Sequence, residues 1–255
     1  MTVFAAQGDP RRTMELLWGV AEHRPARKRG LNADVIVDAG IAIADAHGMD
    51  AVSMRAVGER LGCTAMALYT HVPGKNELVD LMYDRVLAEI PGGYDLGAGW
   101  RAAVHAWARD QWNFCLRHPW ALRVSQARPV LGPNEFAVLN TLVGILRETG
   151  LGPRDLRPVV HALGNHVRGS AATVAEAREA PAATGMSEDD WWLARGEEFA
   201  SVAPDFAERF PLVVWIESDR DPMPEDAGYM EYHAEEAFVT GIDLLLDGVE
   251  THVVS

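Results

Sequence analysis

Residues 53–75 read SMRAVGERLGCTAMALYTHVPGK, and how this stretch is parsed decides the fold. Ser53 is an N-cap residue, whose hydroxyl can accept from a first-turn N–H that has no helical partner. MRAVGERL then continues as a short helix. Gly62 breaks it, Thr64 can cap the next, and Pro73-Gly74 ends that one. Gly58 is small where the two helices would cross. Val57, Leu61, Cys63 and Leu68 supply a shared apolar seam. The second helix spends few residues on core and crowds Tyr69, Thr70 and His71 at one end. This is the grammar of a helix-turn-helix, whose second helix is free to enter a DNA major groove.

Working outward, the flanks are also helical. Val35, Ile36, Ala39, Ile43 and Ala46 recur at 3–4 spacing and predict a helix that stops at Gly48. Val79, Met82, Val86 and Ile90 share one face of another, which begins near Lys75 and ends before the PGG at 91–93. Residues 99–119, 132–150, 153–180, 187–202 and 226–253 all carry helical spacing. The segment 153–180 opens on Pro at its first turn, and 187–202 on a Ser cap with an acidic first turn. FPLVVWI (210–216) is the one short strand candidate, or a buried connector. The expected fold class is all-α: an N-terminal three-helix helix-turn-helix domain, then a larger helical domain. Residues 1–30 read as a loosely organised extension with a basic arm, 31–75 as the helix-turn-helix domain and 76–255 as the second domain, with helix 75–90 as connector.

Composition narrows the function. The chain has 255 residues, 48% apolar and 24% charged, ordinary for a globular protein. No apolar run reaches the ~18–20 residues that a membrane span needs, so no membrane partner is expected. The N-terminus lacks the basic-then-apolar order of a secretory signal. Two cysteines, Cys63 and Cys115, suit a reducing, cytoplasmic setting. Net charge is −14, but Arg24 to Lys75 is +2, leaving −16 elsewhere. An acidic body is repelled by DNA phosphates, so only the head can approach them. In RPARKRG (24–30), Arg27, Lys28 and Arg29 form either a candidate arm for the minor groove or backbone or a plain basic tail. No G-x-S-x-G, H-E-x-x-H, P-loop or dinucleotide fingerprint is present. His161 and His166, five apart, lie off a common helical face. No catalytic residue, metal or cofactor is expected.

The 31–87 stretch, with A-x-x-x-G-M-x-A-V-S-M-R-x-V at 44–57 and A-L-Y-x-H-V-x-x-K-x-E-L at 67–78, resembles the DNA-binding domain of the tetracycline-repressor (TetR) family. RHPWALRV (117–124), LGPNEFAVL (131–139) and GIDLLLDGVE (241–250) resemble the ligand-binding domain of that family's tetracycline-repressor-like branch. The resemblance implies that Arg55 reaches a base or phosphate. It implies that Ala65, Met66, Ala67, Tyr69, Thr70 and His71 form the groove face, and that Lys75 touches phosphate. The residues' own chemistry agrees in part. Tyr69, Thr70 and His71 can donate to phosphate oxygens, which positions without specifying. Arg55 can make a bidentate contact to guanine. Ala65-Met66-Ala67 departs from the family's pattern by lacking a strong hydrogen-bonding side chain. Sequence reading must then lean on Arg55, Thr64, methyl contacts and DNA shape.

In the second domain seven of the eight tryptophans lie between Trp100 and Trp215. Trp107, Gln111 and Phe114 share one helix face, and His161, Asn165 and Arg168 share another. Either set could line a small-molecule pocket or sit in core or solvent. Trp191 and Trp192 could line the pocket mouth or cover an adjacent subunit. Phe238, Ile242, Leu245 and Val249, with the small residues Gly169 to Ala172, fit a four-helix homodimer interface or an intrachain core. What the resemblance implies is a cytoplasmic homodimer bound to double-stranded operator DNA, a repressor released by a small-molecule effector, with an efflux or natural-product gene as candidate target. The alternatives are an activator or ligand-independent regulator, and a small-molecule-binding helical protein without a regulatory role.

Overall fold

A computed structural model of the chain describes residues 2–19, 30–219, 222–224 and 227–253. Among these residues the structure is helical, with one isolated parallel bridge between Val3 and Val124. The chain forms two compact units, one of residues 1–168 with 242–255 and the other of residues 169–241.

The first unit begins with α1 (Pro10–Leu17) and continues through α2 (Ala33–His47), α3 (Met54–Leu61), α4 (Ala65–Tyr69) and α5 (Lys75–Leu87). It then holds α6 (Trp100–Arg117), α7 (Pro133–Leu146), the first half of α8 (Pro153–Thr184) and the end of α12 (Tyr229–Val253). α2 is capped by Asn32, whose side chain accepts from the Val35 amide, and it ends at Gly48. Its buried stripe is Ile36, Val37, Ala39, Gly40, Ile43 and Ala44, which packs on α5 and α3. The stripe is rotated from the 3–4 pattern of the sequence, so that Val35 and Ala46 face solvent. On α5, Val79, Met82 and Val86 are buried, as is Ile90 just past its end. Arg85 adds ion pairs to Asp34 and Asp38 of α2. Elsewhere in this unit Val104, Leu146, Leu163, Ile242 and Leu246 are fully enclosed.

Residues 2–18 are more firmly organised than their composition implies. Val3 exchanges backbone hydrogen bonds with Arg123 and Ser125, both at 2.8 Å. The Ala6 amide donates to Asp80 Oδ1 at 3.0 Å, and the Asp9 amide to Glu77 Oε1 at 3.2 Å. Ala5, Thr13 and Leu17 are buried, and the Trp18 indole donates to the Leu131 carbonyl at 3.1 Å. The segment is a strap. It is held because α5 offers buried carboxylates that need donors, and backbone amides supply them.

In the second unit α9 (Glu188–Val202), α10 (Phe206–Arg209) and α11 (Pro211–Ile216) bury no residue. Ser187 caps α9 as expected, accepting from the Asp190 amide at 3.1 Å. FPLVVWI is neither a strand nor a buried connector: its last six residues form α11, with Leu212 77% and Trp215 70% exposed. Pro211 at the first helical turn favours a helix there. Trp191, Trp192, Tyr229 and His233 stack edge to face, at centroid distances of 4.8, 5.1 and 4.5 Å.

The stripe expected at a dimer interface needs correction. Phe238, Ile242 and Val249 are buried within the single chain, and the position between them that is fully buried is Leu246; Leu245 is half-buried. These side chains are core. The large apolar side chains of α12 that face outward are Met230, Val239 and Leu244.

Candidate nucleic-acid interface and internal cavity

The helix-turn-helix forms as its punctuation dictates. Ser53 Oγ accepts from the Ala56 amide at 3.1 Å, starting α3. Gly62 closes it in the left-handed region, φ 67° and ψ 30°, which a side chain would strain. Thr64 Oγ1 then accepts from the Ala67 amide at 3.4 Å, starting α4. A Cβ on Gly58 would lie 2.8 Å from the Cys63 carbonyl oxygen, so glycine is what lets the turn pass over α3. Val57 and Leu68 are fully buried at the crossing, whereas Leu61 and Cys63 are only half-buried.

Five residues of α4 and a buried Leu68 leave the remaining side chains outside. Met66 is 73% exposed, and Thr64, Tyr69, Thr70 and Lys75 are also exposed. Ala65, Ala67 and His71 are half-buried. The Thr70 hydroxyl donates to the Ala67 carbonyl at 2.7 Å, so its proton is spent inside the helix and it can offer DNA only lone pairs until that bond breaks. Arg55 projects from α3 with its side chain 87% exposed, its Nε paired to Glu59 Oε1 at 2.8 Å. That exposed pair is weak. Arg27, Lys28 and Arg29 lie outside the described residues.

α5 leads from this face to a cavity of about 210 Å³. Six of the eight residues expected at a ligand site line it: Trp107, Gln111 and Phe114 from α6, and His161, Asn165 and Arg168 from α8. The other two, Trp191 and Trp192, belong to the second unit and are exposed. Arg168 is engaged already. It donates to the carbonyls of Ala121 (3.3 Å), Leu122 and Val124 (2.8 Å), fastening the 119–124 turn rather than standing free. His161 and Asn165 are exposed at the rim, while Trp107 and Phe114 are buried.

The spacing of α6 and α8 pointed to these two walls; the other two come from α5 and α7. Tyr83 and Leu87 close the cavity from α5, Glu135 and Leu142 from α7. Gln126 reaches in to donate to the Tyr83 hydroxyl at 3.0 Å. Burial raises Tyr83 and Glu135 above their ordinary pKa values and pushes the Cys115 thiol up to about 11, so it is a neutral wall rather than a nucleophile. Glu135 Oε2 accepts from the Leu131 amide at 2.7 Å. Beside it Asp84 accepts from the Asn134 and Glu135 amides, both at 3.0 Å, and caps the start of α7. A second depression, about 380 Å³ and open to solvent, lies between α2 and α5 and is rimmed by Asp38, Asp45, Arg85 and Glu89. Ile41, Ala42, Val86 and Ala88 floor it, but its rim is charged and open, unlike an enclosed ligand site. Among the described residues no three His, Cys, Asp or Glu converge on a metal position, and no helix is long and apolar enough to cross a membrane.

Comparison with known proteins agrees with this geometry. Residues 36–82 match the family described as bacterial regulatory proteins, tetR family, and residues 94–253 match the tetracyclin repressor-like C-terminal domain. The chain is 36% identical over 256 aligned positions to the HTH-type transcriptional repressor DrrR1 of Streptomyces coeruleorubidus, covering 99% of this chain and 90% of that one. It is 32% identical to an HTH-type transcriptional regulator of Saccharopolyspora erythraea, over 60% of this chain and 65% of the relative. Among solved structures it is similar to the Streptomyces coelicolor TetR family protein ActR in complex with actinorhodin. That match has a TM-score of 0.68 and 25% identity, and it covers 89% of this chain and 100% of the other.

Proposed function

The chain belongs to the tetracycline-repressor family of bacterial regulatory proteins, and from that premise we propose that it represses transcription by a switch centred on α5. The family is one of DNA-binding regulators rather than enzymes. α4 is the reading helix, with Arg55 and Thr64 the side chains placed to read bases. Tyr69, His71 and Lys75 hold phosphates, and Arg27 to Arg29 reach along the backbone or minor groove. Residues 31–75 form the reading head and 76–255 the effector and dimer body. The cavity between α5, α6, α7 and α8 takes a small effector, as ActR takes actinorhodin.

One observation carries this reading. α5 starts at Lys75, six residues past the end of α4, and its last turns place Tyr83 and Leu87 in the cavity wall. Whatever fills the cavity touches the helix that positions the reading head. An effector that prefers a cavity shape incompatible with operator spacing shifts the population off DNA by its differential affinity, and by no more than that.

Two-fold operators need paired reading heads, so the working form is a homodimer in the cytoplasm. The outward apolar side chains of the second unit, with Leu244 on α12, support self-association, because a monomeric surface seldom carries so many. The test is footprinting on the DNA flanking the protein's own gene, with and without compounds made or exported by neighbouring gene products. Protection that steep salt dependence weakens and one compound abolishes is the expected result. Protection that no compound alters would refute the effector half of the reading.

A further inference from the structure

The cavity holds more donors than its own walls can satisfy. Trp107 is 4% exposed, and among the described residues its buried indole Nε1–H meets no acceptor; Gln111 Nε2, one helical turn further along α6, is buried and meets none there either. Both side chains line the cavity. The Tyr83 hydroxyl receives a hydrogen bond from Gln126 and so keeps its own proton to give. Leaving buried donors unmet is costly unless something else meets them. The carboxyl and the guanidinium in the wall are already committed. Glu135 takes the Leu131 amide, and Arg168 gives its guanidinium to three backbone carbonyls. The Cys115 thiol is neutral. The remaining wall is aromatic and aliphatic, as in Phe114 and Leu142.

Resting on the reading of this cavity as the effector site, we propose that its ligand is a neutral aromatic ring compound whose carbonyl or similar acceptor oxygen takes the N–H groups of Trp107 and Gln111. Among the described residues an anion finds no free cation inside the wall, and it would face the Glu135 carboxyl. A pure hydrocarbon leaves both donors unmet. A cation finds Glu135 held by backbone amides. An acceptor oxygen on a flat apolar body satisfies every term at once, with rings against Phe114 and the oxygen toward the α6 turn.

The test uses a matched pair, 1-tetralone and tetralin, which differ by a single carbonyl. Both are titrated into the full-length protein by calorimetry and by quenching of tryptophan fluorescence. The ketone is expected to bind about tenfold or more tighter than the hydrocarbon, as befits one or both buried donors satisfied. The preference is expected to shrink to near unity when Trp107→Phe and Gln111→Leu are combined, while tetralin affinity holds or rises. Equal affinities in the wild-type protein, persistence of the preference in the double variant, or binding of neither compound would each overturn the proposal. Operator binding is measured in the same samples. Ketone preference without release from DNA would remove the effector reading and leave the ligand chemistry standing. Release from DNA by both compounds alike would do the reverse.

Discussion

Gly58→Ala is the sharpest probe of the helix-turn-helix. The new methyl carbon would lie 2.8 Å from the Cys63 carbonyl oxygen, 3.3 Å from the Ala65 nitrogen and 3.5 Å from the Thr64 carbonyl carbon. All three neighbours are backbone, so no side-chain rotation can relieve the clash. Ordinary contact begins near 3.4 Å, and the turn must therefore retreat by about 0.6 Å. Overpacking of this kind costs about 1–3 kcal/mol. Alanine returns about 1 kcal/mol by its better helix propensity. The net expectation is a loss of up to about 2 kcal/mol, or up to about 8 °C in Tm for a chain this size. The displaced atoms are the start of α4, so the reading helix moves too. Reading geometry is sensitive to shifts of about 0.5 Å, and operator affinity should fall about tenfold or more.

The control is Gly144→Ala. Gly144 sits at an exposed position of α7, and nothing lies within 4 Å of where the new methyl would stand. Alanine there should stabilise by about 0.5–1 kcal/mol and leave operator binding alone. Urea denaturation and a fluorescence-anisotropy titration of operator DNA read the two effects. If Gly58→Ala matched Gly144→Ala in both, the crossing described for α3 and the turn would be wrong.

Three further outcomes follow from the geometry. Burial raises the fully enclosed Asp80 carboxyl from 3.8 to about 6; the folded state therefore binds this proton more tightly, and stability falls as pH rises from about 4 to about 6, by on the order of 2–3 kcal/mol. Asp80→Asn keeps an acceptor for the Ala6 amide and should gain on wild type across that window in urea titrations, whereas a pH-independent difference would count against it. Leu246→Ala should cost about 2–5 kcal/mol at any protein concentration, while Leu244→Ala, at a position 67% exposed, should leave the protomer's stability within about 0.5 kcal/mol and weaken self-association in sedimentation velocity. Arg55→Ala should cost about 1–3 kcal/mol at one operator position, and Glu59→Gln, by freeing the paired Nε, should strengthen binding slightly; unchanged operator preference in both variants would exclude Arg55 as a base reader.

The helix-turn-helix was legible because its determinants are local. A serine cap, a left-handed glycine, a threonine cap and a Pro-Gly stop each act within four residues, and each forms as its chemistry directs. The cavity was half legible: positions 107, 111 and 114 on one helix and 161, 165 and 168 on another repeat at helical spacing, and both triplets line it. Spacing shows which side chains share a face, but not what covers the face. Phe238, Ile242 and Val249 were therefore compatible with an interface or a core, and only tertiary packing places them in the core with Leu246. The same gap hides the strap. Nothing near Asp80 or Glu77 in the sequence distinguishes a buried acceptor from a solvated charge, because their donors, Ala6 and Asp9, lie about seventy residues away. FPLVVWI shows the reverse error: apolar β-branched residues read as strand or core, yet α11 holds them outside.

The restraint on α5 determines what kind of switch this can be. Val79, Met82 and Val86 bury it in an apolar seam with α2 beside it, and Arg85 adds ion pairs to α2. Glu77 and Asp80 fasten it to the strap, and Asp84 fastens it to the first turn of α7. α2 is tied in turn to the 118–120 turn, where His118 and the Trp120 indole both reach Asp45 Oδ1 at 2.7 Å. A helix held on several sides does not bend by degrees as a ligand enters. Close-packed interfaces shift between discrete arrangements rather than deform continuously. The strap and α7 both lie on the path, since Leu131 accepts from Trp18 of the strap and donates to Glu135 of the cavity wall. A ligand that displaces Glu135 therefore loosens the strap and the α7 cap together. On the proposed switch, release of the reading head is then a concerted step that breaks the contacts of Asp80, Asp84 and Glu135 together.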